Sequence, residues 1–167
     1  MATLYESLCI SLLESTRLDN QAKTQSLEIA RRISDGIRQE FEAPERTLYL
    51  VNDMPDPEFL AVPDRDQYPQ RAGHLSWAFR YALAIRYPSG DAPMSIAWGD
   101  FVIRKNTGGQ SRHWGIIEWP NRYEVDNPPD QSLIQLLANE LFHDVTRMLE
   151  NCNRSCPMSI GFSCNEE

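Results

Sequence analysis

Apolar positions recur along this chain with two different periods, and the change from one to the other divides it. Leu4, Tyr5, Leu8 and Leu12 fall one helical turn apart, which predicts a first helix over residues 3–14. The run "TRLDNQ" at 16–21 offers Asp19 or Asn20 as the N-cap of a second helix. That helix extends to about Phe41, with Leu27, Ala30, Ile33, Ile37 and Phe41 as its buried stripe. The period then drops to two. In "HLSWAFRYALAIRY", residues 74–87, Leu75, Trp77, Phe79, Tyr81, Leu83, Ile85 and Tyr87 alternate with Ser76, Ala78, Arg80, Ala82, Ala84 and Arg86. On a helix these seven side chains would scatter around the whole wheel. On a strand they share one face.

Residues 46–51, "RTLYLV", read as a short earlier strand, and 94–105 as the partner that follows the 74–87 strand. In the second of these the large residues shift from even positions (Ile96, Trp98) to odd ones (Phe101, Ile103) across Gly99, which predicts a β-bulge. "NTGGQS" at 106–111 is hairpin chemistry, and 112–119 is the third strand of a meander, stopped by Pro120. Asn127 before Pro128 marks the start of a last helix, whose stripe is Leu133, Ile134, Leu137, Leu141, Val145, Met148 and Leu149. The expected fold class is α+β. It has an antiparallel sheet, a three-stranded meander plus one short N-terminal strand, with two N-terminal helices and one C-terminal helix packed on one face. Residues 1–151 form the single domain, and 152–167 an irregular, cysteine-bearing tail. Between the first two strands, 54–71 is a long acidic, proline-rich loop.

Charge adds one distinction. The net charge is −8, yet 1–72 and 126–167 each carry −5 while 73–125 carries +2. Of the 16 basic residues 14 are arginine, the side chain suited to bidentate and stacked contacts. Four cysteines in a chain of this size read as free thiols; the tail spacing of Cys152, Cys156 and Cys164 fits no zinc pattern, so no metal or cofactor is expected. "LCISLL" is short and flanked by Glu6 and Glu14 instead of a basic leader, and no apolar run is long enough to span a membrane. A cytoplasmic chain without a membrane role is the expectation.

The face of 74–87 opposite the aromatics is small, flat and arginine-bearing, which marks it as the surface to examine. Arg80 and Arg86 lie on it by alternation. Arg104 and Arg112 flank the hairpin, and Trp98 or Trp114 supplies an aromatic. The bland interpretation is a soluble outer face whose arginine stems cover apolar area. No nucleophile elbow, P-loop or dinucleotide fingerprint is present, and no catalytic residue is assigned. Three function classes remain. The first is a non-enzymatic interaction protein of inhibitor, immunity or adaptor type. It would bind a partner protein through the open sheet face or the acidic loop, with self-association into a homodimer through the sheet as a further reading. The second is capture of a nucleotide or nucleic acid by the arginine-bearing face. The third is an enzyme with an unfamiliar site that uses His74 and His113 as acid and base.

Overall fold

The computed structural model describes residues 3–43, 48–51, 69–85, 95–109, 111–151 and 159–162. Among these residues are two helices and seven strands, all seven in one sheet. Helix α1 (Leu4–Glu40) comes first, followed by β1 (Leu48–Val51), β2 (Gln70–Gly73), β3 (Ser76–Ile85), β4 (Ser95–Lys105), β5 (Gly115–Trp119) and β6 (Asn121–Val125). Helix α2 (Gln131–Asn151) and β7 (Ser159–Phe162) complete the order. The main path across the sheet is β1-β3-β4-β5-β6, antiparallel throughout. Strand β2 pairs with the first part of β3, and β7 lies parallel to the first part of β4. The meander β3-β4-β5 is present as the alternation of apolar residues predicts. The loop at 54–71 falls almost wholly outside the described residues, as do Arg86 and Tyr87 at the end of the 74–87 stretch.

The class is α+β, but the expected layout of three helices and four strands is wrong. A single 37-residue helix replaces the two N-terminal ones. Its start is fixed by a capping box: Thr3 Oγ1 accepts from the Glu6 backbone N–H at 3.2 Å, and the Glu6 carboxylate accepts from the Thr3 backbone N–H at 2.6 Å. Asp19 and Asn20, read as a second cap, both lie inside this unbroken helix. Thr16 donates to the Leu12 carbonyl at 2.9 Å, Thr24 to the Asn20 carbonyl at 3.1 Å, and Asp19 reaches across to Arg71. Cap-forming residues end a helix only when something stops its hydrogen-bond ladder, and neither Gly nor Pro lies between Leu4 and Asp35.

Three strands were not expected. Asn121–Val125 follows the tight turn at Pro120 and turns only Tyr123 and Val125 inward, too few apolar residues to announce a strand. Strand β2 has no buried residue, and β7 is held by pairing with β4 within the stretch read as irregular.

Gly99 marks no bulge either. The β3–β4 register runs without interruption from Ser76↔Arg104 to Ile85↔Ser95, with Gly99 opposite Tyr81. A Cβ at Gly99 would lie 2.7 Å from the Tyr81 hydroxyl oxygen, so the glycine vacates the space into which that ring leans. The large residues change position because they change face.

One side of the sheet holds the core. Trp77, Phe79, Tyr81 and Leu83 of β3 join Phe101, Ile103, Ile117, Trp119 and Val125 on this side. Stacked rings run through it: Phe79 on Phe101 at 5.4 Å, Phe101 on Trp119 at 4.8 Å, and Tyr81 against Trp119 at 4.8 Å. From α1, Ile29, Ala30, Ile33 and Ile37 cover this layer, and from α2 Leu133, Ile134, Leu137, Leu141 and Val145. The helices meet closely at Gly36, where a Cβ would come within 2.7 Å of Ile134 Cγ2. The cap of α2 is Asp130, not Asn127. Its carboxylate accepts from the Leu133 backbone N–H at 2.7 Å and from the Ser132 hydroxyl at 2.9 Å, and these bonds hold its pKa below the usual aspartate value.

Candidate functional site

The outer sheet face carries Arg80, Trp98, Asp100, Arg104 and Glu118, as alternation along β3, β4 and β5 requires. Arg80 stands directly opposite Asp100 and forms a bidentate ion pair with it, Nε–Oδ1 at 2.6 Å and Nη2–Oδ2 at 3.0 Å. Its guanidinium also lies 5.1 Å from the centre of the Trp98 ring. Arg104 approaches Glu118 at 3.7 Å. The alanine floor is not bare: Ala82 faces Trp98 across the strand pair and has 0 % of its surface exposed. The structure therefore gathers Arg80, Trp98 and Arg104 on one face, and sets carboxylates against both arginines. A cation–carboxylate pair of this geometry offers an anionic ligand much less than a free guanidinium does.

The remaining members are elsewhere. Arg86 lies outside the described residues. Arg112 is exposed in the bend before β5. That bend, at 112–114, turns Trp114 to the helical side, where its indole N–H donates to Gln25 of α1 at 3.2 Å and Lys105 sits 5.9 Å from the ring centre. Trp114 thus fastens the hairpin to α1 and takes no part in the outer face.

The two histidines considered as acid and base sit at the same end of the sheet, His74 in the β2–β3 turn and His113 just before β5, with β4 between those strands. His74 is exposed. His113 is half-buried and engaged on both nitrogens: Nδ1 lies 3.2 Å from each Asp126 oxygen, and Nε2 lies 3.0 Å from Glu124 Oε2. The ring ties the start of β5 to β6 and the residue after it. A general base needs a nitrogen directed at its substrate, and here both are directed at carboxylates. Nearby on the helical side, the Tyr123 hydroxyl donates to Glu140 of α2; burial, and then this bond, raises its pKa above the usual tyrosine value. Among the described residues no group of three or more His, Cys, Asp or Glu could hold a metal ion.

The feature that sequence reasoning missed is the first half of α1. A helix of 37 residues is about 55 Å long, whereas a domain of this size is nearer 35–40 Å across. One end must overhang. The clasp that ends the packed part is visible: Asp19 pairs with Arg71 of β2 at 3.1 Å, and Lys23 and Arg71 both lie 5.7 Å from the Trp77 ring centre. From Ala22 onward α1 turns a continuous buried face to the core. Before the clasp, Leu4, Tyr5, Leu8, Ile10, Leu12 and Leu13 are all exposed, from 52 % at Ile10 to 88 % at Leu4. Leu4, Tyr5, Leu8 and Leu12 share one side of this arm, and a monomer rarely leaves a large contiguous apolar patch in water. The apolar stripe was legible; its emergence into solvent follows only from the unbroken length of the helix.

The chain matches no known family model, no curated protein and no solved structure. No described helix is long and apolar enough to cross a membrane.

Proposed function

We propose that this chain is a non-enzymatic interaction protein, of inhibitor, immunity or adaptor type, that engages a partner protein through the projecting arm of α1. The observation that carries this reading is the row of leucines at 4, 8 and 12 standing in water at the end of a well-capped helix. Apolar side chains held on a rigid helix lose little further freedom when a partner covers them, which suits helix-in-groove recognition. The outer sheet face supports the reading less well, because its arginines are already opposed by Asp100 and Glu118 and its floor is covered. The same pairing counts against capture of a nucleotide or nucleic acid there.

The test is a comparison, in the protein's own cells, between the wild-type chain and L8D/L12D. The wild type is expected to be recovered in an assembly heavier than the single chain, and the double variant as the single chain alone. Both positions lie outside the core, so the variant keeps its fold, which circular dichroism checks. Identical assemblies from the two proteins would remove the arm from the account.

A further inference from the structure

We infer that the arm's partner is a second copy of this chain, with the two arms packed antiparallel about a two-fold axis near Leu8; this rests on the reading of the arm as the docking element. The direction follows from the azimuth of the apolar stripe. Leu4 and Ala22, Leu8 and Ser26, and Leu12 and Ala30 are each eighteen residues apart, roughly five full turns at 3.6 residues per turn. Leu4, Leu8 and Leu12 therefore lie on the same side of α1 as the residues that rest on the sheet, and Ala22, Ser26 and Ala30 are all buried there.

In a parallel pair with those sides facing, each chain's sheet would occupy the space where the other's helix must continue. The bodies would collide. In an antiparallel pair, each body lies beyond the other arm's N-terminus, and only the projecting segments meet. The clasp at Asp19 limits how far the second arm can slide, and the register that matches apolar to apolar stays clear of it. Leu8 then meets Leu8, and Leu4 meets Leu12 of the other arm.

The area is adequate. The exposed apolar surface of Leu4, Tyr5, Leu8 and Leu12 on two copies would bury on the order of 1,000 Å² in total, the lower bound for a specific interface and the mark of a reversible dimer. A lipid surface suits the arm poorly, since its polar positions carry Glu6 and Glu14 where a membrane-lying helix would carry Lys and Arg.

The experiment uses the full chain and two readouts. Sedimentation of the wild type is expected to show a twofold rise in mass across the micromolar range, abolished by L8D. Disulfide trapping then reads direction, in a background with Cys9, Cys152, Cys156 and Cys164 replaced by serine. L4C protein mixed with L12C protein is expected to give the mixed disulfide in excess over either homodimer, while I10C, on the opposite side of the arm, gives none. Homodisulfides in excess would mean a parallel pair and would overturn the inference, as would a dimer that survives L8D. A wild type that stays monomeric also overturns it. If L8D/L12D still lost its cellular assembly in that case, the arm would be serving a foreign protein and the broader reading would stand; if no arm-dependent assembly existed at all, both would fall.

Discussion

The two halves of α1 share a helix, a face and an apolar period, and they end in opposite surroundings. From Ala22 to Ile37 the face is sealed against β1, β3 and β4 and against α2. From Leu4 to Leu12 the same face is in water. Intrinsic helix preference does not separate them: the exposed half carries the capping box, and the buried half carries Gly36. What separates them is where the sheet ends. Amphipathic periodicity reports which side of a helix wants cover and says nothing about whether this chain supplies it.

The sharpest way to break this comparison is to remove the same kind of side chain from each half. Ile33→Ala empties a fully buried position and should cost about 2–5 kcal/mol in chemical denaturation, the usual range for a large-to-small core change. A cost below that range would mean that the covered half is less tightly packed than it looks. The cap of the covering helix comes next. Asp130→Ala should cost about 1 kcal/mol by loss of the bonds to Leu133 and Ser132. Because the folded-state pKa of Asp130 lies below its unfolded value, its contribution is fully present above the ordinary aspartate range. It disappears as pH falls through that range and through the lower folded value. Urea midpoints measured down the acid range should therefore converge for wild type and D130A; parallel curves would contradict the cap. The smallest effect belongs to the arm. Leu12→Ala, at dilutions where the chain is a single copy, should move stability by less than about 0.5 kcal/mol, since no core contact is lost. A loss comparable to that of Ile33→Ala would show that the arm folds back onto the body in solution.

How much of this was legible beforehand varies with the kind of signal. Within the 74–87 stretch, Ser76–Ile85 announces its strand because large and small residues alternate, and the aromatic side is the core side as that pattern implies, while His74 and Leu75 form the turn before it. Strand Asn121–Val125 was hidden, since only alternate residues face inward and a five-residue strand leaves just two apolar ones to see. Gly99 misled for a different reason: a glycine that yields room to the Tyr81 ring and a glycine that buckles a strand look the same in one dimension. The break at 16–21 misled because Asp and Asn are cap residues only where a helix begins, and nothing in the unbroken helix interrupts its ladder at Asp19 or Asn20.

At the candidate surfaces, the place of Arg80 on the outer face follows from alternation along its strand, while Arg104 was read only as flanking the hairpin and the choice between Trp98 and Trp114 was left open. That Arg80 is matched by Asp100, and that Trp114 swings to the helices, depends on strand register and on a bend.

By its own order of residues, then, the chain determined its α+β class, the identity of the buried stripes and which side of the central strand meets the helices. These follow from local periodicity, which every few residues of backbone geometry impose. Only the tertiary structure decided that α1 outruns the sheet, that the arginines of the outer face are already opposed, and that the bare leucines stand where another chain can reach them. Those outcomes depend on the finite width of the sheet and on pairings between distant strands, and no window of neighbouring residues contains either.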